Sequence, residues 1–111
     1  MIHQLRIYEI FEHNREAFLA RFAAHSAPIM ARHGFRLVAT WEARTPRRRE
    51  FVYLLAWPDE ATKDSAWAAF LADPEWVEAK RATREAYGRL VGEIEDRVLA
   101  PTGDTRLDRS A

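Results

Sequence analysis

The sequence predicts a single α+β domain of the ferredoxin-like βαββαβ kind: a four-stranded antiparallel sheet with two helices on one face. Apolar residues alternate in steps of two over four short stretches, the pattern of half-buried strands. Between them lie two longer stretches whose apolar residues recur at three and four, the pattern of amphipathic helices. A short polar turn joins the second and third strands as a hairpin, and right-handed crossovers then put both helices on the same side. The 111 residues leave room for one domain.

The first strand spans residues 2–10, with His3, Leu5, Ile7 and Glu9 on one side and Gln4, Arg6, Tyr8 and Ile10 on the other. Leu5 and Ile7 are expected under the helices, which turns Arg6 and Tyr8 to the opposite face. The first helix is expected to begin at Asn14, a side-chain acceptor suited to an N-cap. Its stripe is Phe18, Leu19, Phe22, Ser26, Ile29 and Met30; Pro28 predicts a kink, and Gly34 ends it. Residues 35–42 and 51–57 form the hairpin around the turn 45–49. Val52, Leu54 and Ala56 are expected under the helices, and Phe51, Tyr53, Leu55 and Trp57 on the other face. The second helical region starts at Asp59, restarts at Asp73-Pro74-Glu75 and stops near Gly88. Residues 91–100 are the fourth strand, so the domain covers 1–101 and a polar tail 102–111. An open face carrying Tyr8, Phe51, Tyr53, Leu55 and Trp57 exceeds what a monomer leaves in water. A homodimer that stacks the two open faces is therefore expected.

Composition excludes several classes. Seventeen basic and seventeen acidic residues cancel, which offers no electrostatic reason for a nucleic-acid or anionic-membrane partner. Without cysteine there is no disulfide framework and no thiolate nucleophile or ligand. No apolar run approaches the ~18 residues of a spanning helix. Residues 1–6 show no basic leader before an apolar core, so a cytoplasmic protein is expected.

The histidines do not pair as ligands. His25 and His33 are eight residues apart on one helix, ~12 Å along its axis, and His3 and His13 lie on a strand and in a loop. Neither a metal site nor a cofactor is expected. The run Arg44, Arg47, Arg48, Arg49 reads as a solvated hairpin tip. Ser26, Ser65 and Ser110 form no nucleophile elbow, and the scattered glycines form no phosphate loop. What remains is Arg6. On a sheet face covered by a partner it needs a counter-charge, Glu95 or Glu42, or else a polar ligand. In the second case Arg6 binds a carboxylate or enolate, and Tyr8 or Tyr53 moves a proton. Trp57, Trp41 and Glu95 are the accompanying candidates for substrate contact.

Several segments resemble the NIPSNAP family: Leu5-Arg6-Ile7-Tyr8, Ala27-Pro28-Ile29-Met30-Ala31-Arg32-His33-Gly34, Leu37-Val38-Ala39-Thr40-Trp41 and Trp67-Ala68-Ala69-Phe70-Leu71-Ala72-Asp73-Pro74-Glu75-Trp76. The ending Arg97-Val98-Leu99-Ala100-Pro101-Thr102 is similar as well. The resemblance implies a dimeric α/β barrel, an architecture shared with small cofactor-free monooxygenases, muconolactone isomerases and haem-binding enzymes. Tyr53 stands where the resemblance would place a histidine. Two functions follow as expectations. One is a metal-free monooxygenase, isomerase or cyclase-like enzyme acting on an aromatic or polyketide-like substrate, a small-molecule ligand held in a barrel cavity. The other is a non-catalytic dimeric binding or interaction module.

Overall fold

The computed structural model describes residues 1–103; most of the expected polar tail lies outside the described residues. Strand β1 (Ile2–Ile10) leads through a 3₁₀ turn, Glu12–Asn14, into α1 (Arg15–Arg21), a π-helical turn at Phe22–Ser26, and α2 (Ala27–Arg32). Strands β2 (Arg36–Arg44) and β3 (Arg49–Trp57) follow, then α3 (Glu60–Ala72), α4 (Pro74–Tyr87) and β4 (Val91–Leu99). The sheet order is β2-β3-β1-β4 and every neighbouring pair is antiparallel. This is the ferredoxin-like arrangement. The second helical region is two helices, divided at the expected restart, because Asp73 leaves the helix in extended conformation and caps α4. No described helix is long and apolar enough to cross a membrane.

The facing of β1 and β3 is opposite to the expectation. Tyr53 and Leu55 are fully buried, and Phe51 and Trp57 nearly so, against Phe18, Phe22 and Phe70 of the helical layer and Phe35 of the α2–β2 connection. Leu5, Ile7, Val52, Leu54 and Ala56 therefore lie on the face that no helix covers, opposed in pairs Leu5–Leu54 and Ile7–Val52. Both faces of β3 are apolar, so period two separates its two sets without saying which is inside; β1 pairs with β3 and turns Gln4, Arg6 and Tyr8 under the helices, leaving Leu5 and Ile7 on the open face. Size decides it. The α3 stripe offers alanines between its aromatics, and large rings from the sheet are needed to fill the space between layers. Each buried Phe or Leu of this set contributes about 1.5–3 kcal/mol.

The helical layer departs from expectation at two points. Asn14 makes no capping bond to α1; its amide instead donates to the carbonyls of Tyr87 and Arg89, at 3.0 and 3.1 Å. It thus fastens the exit of α4 to the entry of α1. Pro28 produces no break, because the wide π turn ends at Ser26, just before it. A proline two residues further on has no N–H to give the preceding turn and crowds its carbonyl. A π turn is one way to absorb that, and it turns both Phe22 and Ser26 inward. Of the hairpin arginines, Arg48 is not solvated: it is 8% exposed and donates to Glu50, Glu93 and Glu95.

Candidate functional site

A cavity of about 220 Å³ opens between the helical layer and the β1–β4 half of the sheet. Its walls are mostly aromatic, with Phe18 and Phe22 from the first helical run, Trp67 and Phe70 from α3, and Trp76 from α4. Its polar groups are Arg6, Tyr8, Arg21, Ser26 and Lys80. Among the described residues, none that lines the cavity carries a carboxylate or an imidazole.

Strand register builds the polar floor. Arg6 sits directly opposite Tyr53 on β3 and Asp96 on β4. Its guanidinium donates from Nε to Tyr53 Oη at 3.3 Å, from Nη2 to Tyr8 Oη at 3.0 Å and from Nη1 to Asp96 Oδ2 at 3.0 Å. It also lies over the indole of Trp67, 4.5 Å from the ring centre, a cation–π contact. Asp96 Oδ1 accepts from Gln4 Nε2 at 2.9 Å. Gln4 Oε1 in turn accepts from both Trp57 Nε1 and Trp67 Nε1, at 2.9 and 2.8 Å. One chain of hydrogen bonds thus runs from two indoles through Gln4, Asp96 and Arg6 to two phenols. Each member fixes the orientation of the next.

The two phenol oxygens are 2.6 Å apart. Both accept from Arg6, so one proton lies between them and the other is free. Tyr53 is fully buried and does not line the cavity, which leaves the Tyr8 oxygen as the acceptor for its proton. The Tyr8 hydroxyl hydrogen is then the one that can reach a ligand. Burial pushes the Tyr53 phenol well above its usual range, with the neighbouring Tyr8 adding to the effect, so Tyr53 is a fixed donor at neutral pH. Burial works against the charge of Arg6, but Tyr8 and Tyr53 outweigh it and hold its pKa above the ordinary value. Arg21 is the contrasting cation. Burial lowers its pKa, and among the described residues its Nε is buried without a partner and only Nη1 is bonded, to Thr83 at 3.2 Å.

The structure brings Arg6, Tyr8 and Tyr53 together, but under the helices rather than on the open face. Trp57 is 1% exposed and serves the network through Gln4 without touching the cavity. Trp41 is 51% exposed and pairs with Val52 on the open face. Glu95 is on that face too, bonded to Arg48 and Arg97. The partner of Arg6 is its cross-strand neighbour Asp96; Glu42 is engaged by Arg15. Gln4, Asp96, Trp67, Arg21 and Lys80 were missed. Gln4 and Asp96 had a signal, since they follow from Arg6 by strand alternation and register. Among the described residues no group of three or more His, Asp or Glu is arranged to hold a metal ion.

The sheet, the aromatic-walled cavity and the Arg–Tyr–Tyr cluster beneath the helices define a ferredoxin-like α+β domain with an internal cavity. The chain belongs to the NIPSNAP family, whose model matches residues 3–106. It is similar in structure to a NIPSNAP-like domain protein from Burkholderia xenovorans, with a TM-score of 0.78 and 22% identity over 94% of this chain and 87% of that one. A NIPSNAP family protein from Agrobacterium tumefaciens superposes at a TM-score of 0.80, with 17% identity over 96% of this chain and 97% of that one. SnoaB, a cofactor-independent oxygenase from Streptomyces nogalater, shares the fold at a TM-score of 0.56 and 20% identity, over 91% of this chain and 92% of that one. No curated protein matches this chain in sequence.

Proposed function

We propose that the cavity binds a small planar molecule through an anionic oxygen, an enolate or phenolate. We further propose that the chain acts on it as a cofactor-independent enzyme of the monooxygenase, isomerase or cyclase kind. The observation that carries this is the Tyr8 hydroxyl, held by Arg6 and Tyr53 at the floor of an aromatic cavity. A phenol donor backed by a guanidinium stabilises negative charge on a ligand oxygen, more strongly where water is excluded. With no carboxylate or imidazole in the lining, the ligand enters as the anion, which favours acidic enols and phenols. Its nucleophilic carbon then meets dioxygen, an internal carbonyl or a proton, according to the reaction. The cofactor-independent oxygenase among the fold relatives supports this reading. The same lack of a base favours a second reading, a module that binds such anions without turnover.

The test is to incubate the protein with acidic enols and hydroxyquinones while following oxygen uptake and the ligand spectrum. Turnover lost in Tyr8→Phe supports the enzyme. Saturable binding without change in the ligand supports the module.

The open face is proposed to pair with a second copy. Leu5, Ile7, Val52 and Leu54 run across its centre, with Ala39 and the half-exposed Trp41 beside them. The inference of a homodimer thus rests on a different set of side chains from the one the sequence indicated, and on the same physics: an apolar sheet face in water needs a cover.

A further inference from the structure

Beside the cavity lies a recess of about 190 Å³ bounded by four cations, Arg21, Lys80, Arg84 and Arg89. The two spaces share Arg21, Lys80 and Val91, so they adjoin. None of the described residues that line the recess is acidic. Among the described residues, none of the four cations has a carboxylate within 4.0 Å, the ion-pair limit. This is unusual within this molecule. Arg48 is matched to three glutamates, and Arg81, on the same helix as Lys80 and Arg84, is matched to Glu78 and Glu85. Lys80 and Arg84 are spaced i, i+4, where like charges repel. The C-terminal end of α4 favours one cation in its last turn, which accounts for Arg84 and not for the other three.

Two of the cations also make fixed contacts with residues that line the cavity, Val91 and Trp76. Arg89 Nε donates to the carbonyl of Val91 at 2.9 Å. Arg21 lies 5.3 Å over the ring of Trp76, with Nε buried and unbonded. A desolvated guanidinium without a counter-ion is costly, and an anion in the recess removes that cost.

We propose that this recess is a subsite for a phosphate or diphosphate group on the ligand whose planar body occupies the cavity. The proposal rests on reading the cavity as a small-molecule site. A single carboxylate supplies one negative charge to four cations, whereas a phosphate ester supplies close to two at neutral pH. Arginine forks bind its oxygens two at a time. The ligand is thus bipartite, with an enol or phenol at Tyr8 and a phosphorylated handle at Arg21, Lys80, Arg84 and Arg89.

The full chain is titrated with inorganic pyrophosphate, with sodium chloride at matched ionic strength as reference, by calorimetry and thermal shift. Pyrophosphate is expected to bind and to raise Tm beyond the chloride effect. Binding should weaken about tenfold in the K80Q/R84Q double variant and in Arg89→Gln, the loss of one or more charge-assisted bonds, and stay unchanged in Arg81→Gln. All of these side chains are on exposed residues, so circular dichroism should show the fold kept. A wild-type response equal to that of chloride, or equal weakening in Arg81→Gln, overturns the proposal. A hydroxyquinone with no phosphate separates the two readings. If it binds in a Tyr8-dependent way while pyrophosphate does not, only the subsite falls. If pyrophosphate alone binds, the cavity reading falls and the recess stands as an anion site.

Discussion

Gln4 shows how much of the site depends on one side chain. It is 1% exposed, its carbonyl serves two indole N–H groups, and its amide orients the aspartate that holds Arg6. Gln4→Leu leaves Trp57 Nε1 and Trp67 Nε1 without their acceptor, while Asp96, 43% exposed on its side chain, can turn to water instead. Each unsatisfied buried group costs ~1–3 kcal/mol, so Gln4→Leu should destabilise by ~3 kcal/mol in urea unfolding. Tyr53→Phe should behave differently. It removes one acceptor from Arg6 and one of the two donors to the Tyr8 oxygen, the other being Arg6 Nη2, so ligand affinity should fall with a smaller stability loss of ~1 kcal/mol. At this scale the sequence was legible in part. Arg6 and Tyr8 share a face by strand alternation, a local property, and Tyr53 joins them through the β1–β3 pairing that the βαββαβ topology implies. Gln4 looked like any polar residue on a strand, because its value lies in two indoles more than fifty residues away.

At the scale of elements, the joints between helices carry the chemistry that periodicity does not report. Asp73 caps α4 through the Glu75 amide at 2.8 Å and also bonds His33 Nε2 at 2.7 Å and Arg32 at 3.2 Å. His33 first, and the Glu75 amide next, hold its carboxyl below the usual carboxylate range. A depressed folded-state pKa contributes stability that is fully present above the unfolded value of about 3.9 and is lost as pH falls through the folded one. Asp73→Ala should therefore lower Tm at pH 7, and the gap to wild type should close in strong acid. Tm measured from pH 7 to pH 2 reads this directly; a constant gap throughout would refute it. The cap at Asp73-Pro74-Glu75 was visible in sequence because its signals are adjacent residues. The true role of Asn14 was not, since its bonds go to carbonyls at positions 87 and 89.

For the whole molecule, the question that sequence left open was which side of the sheet the helices cover. Leu5, Ile7, Val52 and Leu54 are as apolar as Phe51, Leu55 and Trp57, and nothing in a period of two ranks them. The reversal moves the site from the sheet face opposite the helices to the face beneath them, and it leaves an aliphatic face on the other side. Sedimentation equilibrium should find twice the chain mass at micromolar concentration. Leu54→Arg, which puts a charge at the centre of that face, should weaken association at least about tenfold while leaving ligand affinity within a factor of two or so, because the cavity is on the other side. Loss of both together would mean that the open face and the cavity are not separate.

The claim that the Tyr8 hydroxyl is the anchor for an anionic ligand is tested most directly by tryptophan fluorescence, since Trp67 and Trp76 both line the cavity. Titration with a hydroxynaphthoquinone, at a pH where it is ionised, should quench wild-type emission along a saturable curve. Tyr8→Phe should shift that curve about tenfold to higher concentration, the loss of one hydrogen bond to a charged oxygen. A saturable curve identical in wild type and Tyr8→Phe, or no saturable quenching in either, would contradict the assignment.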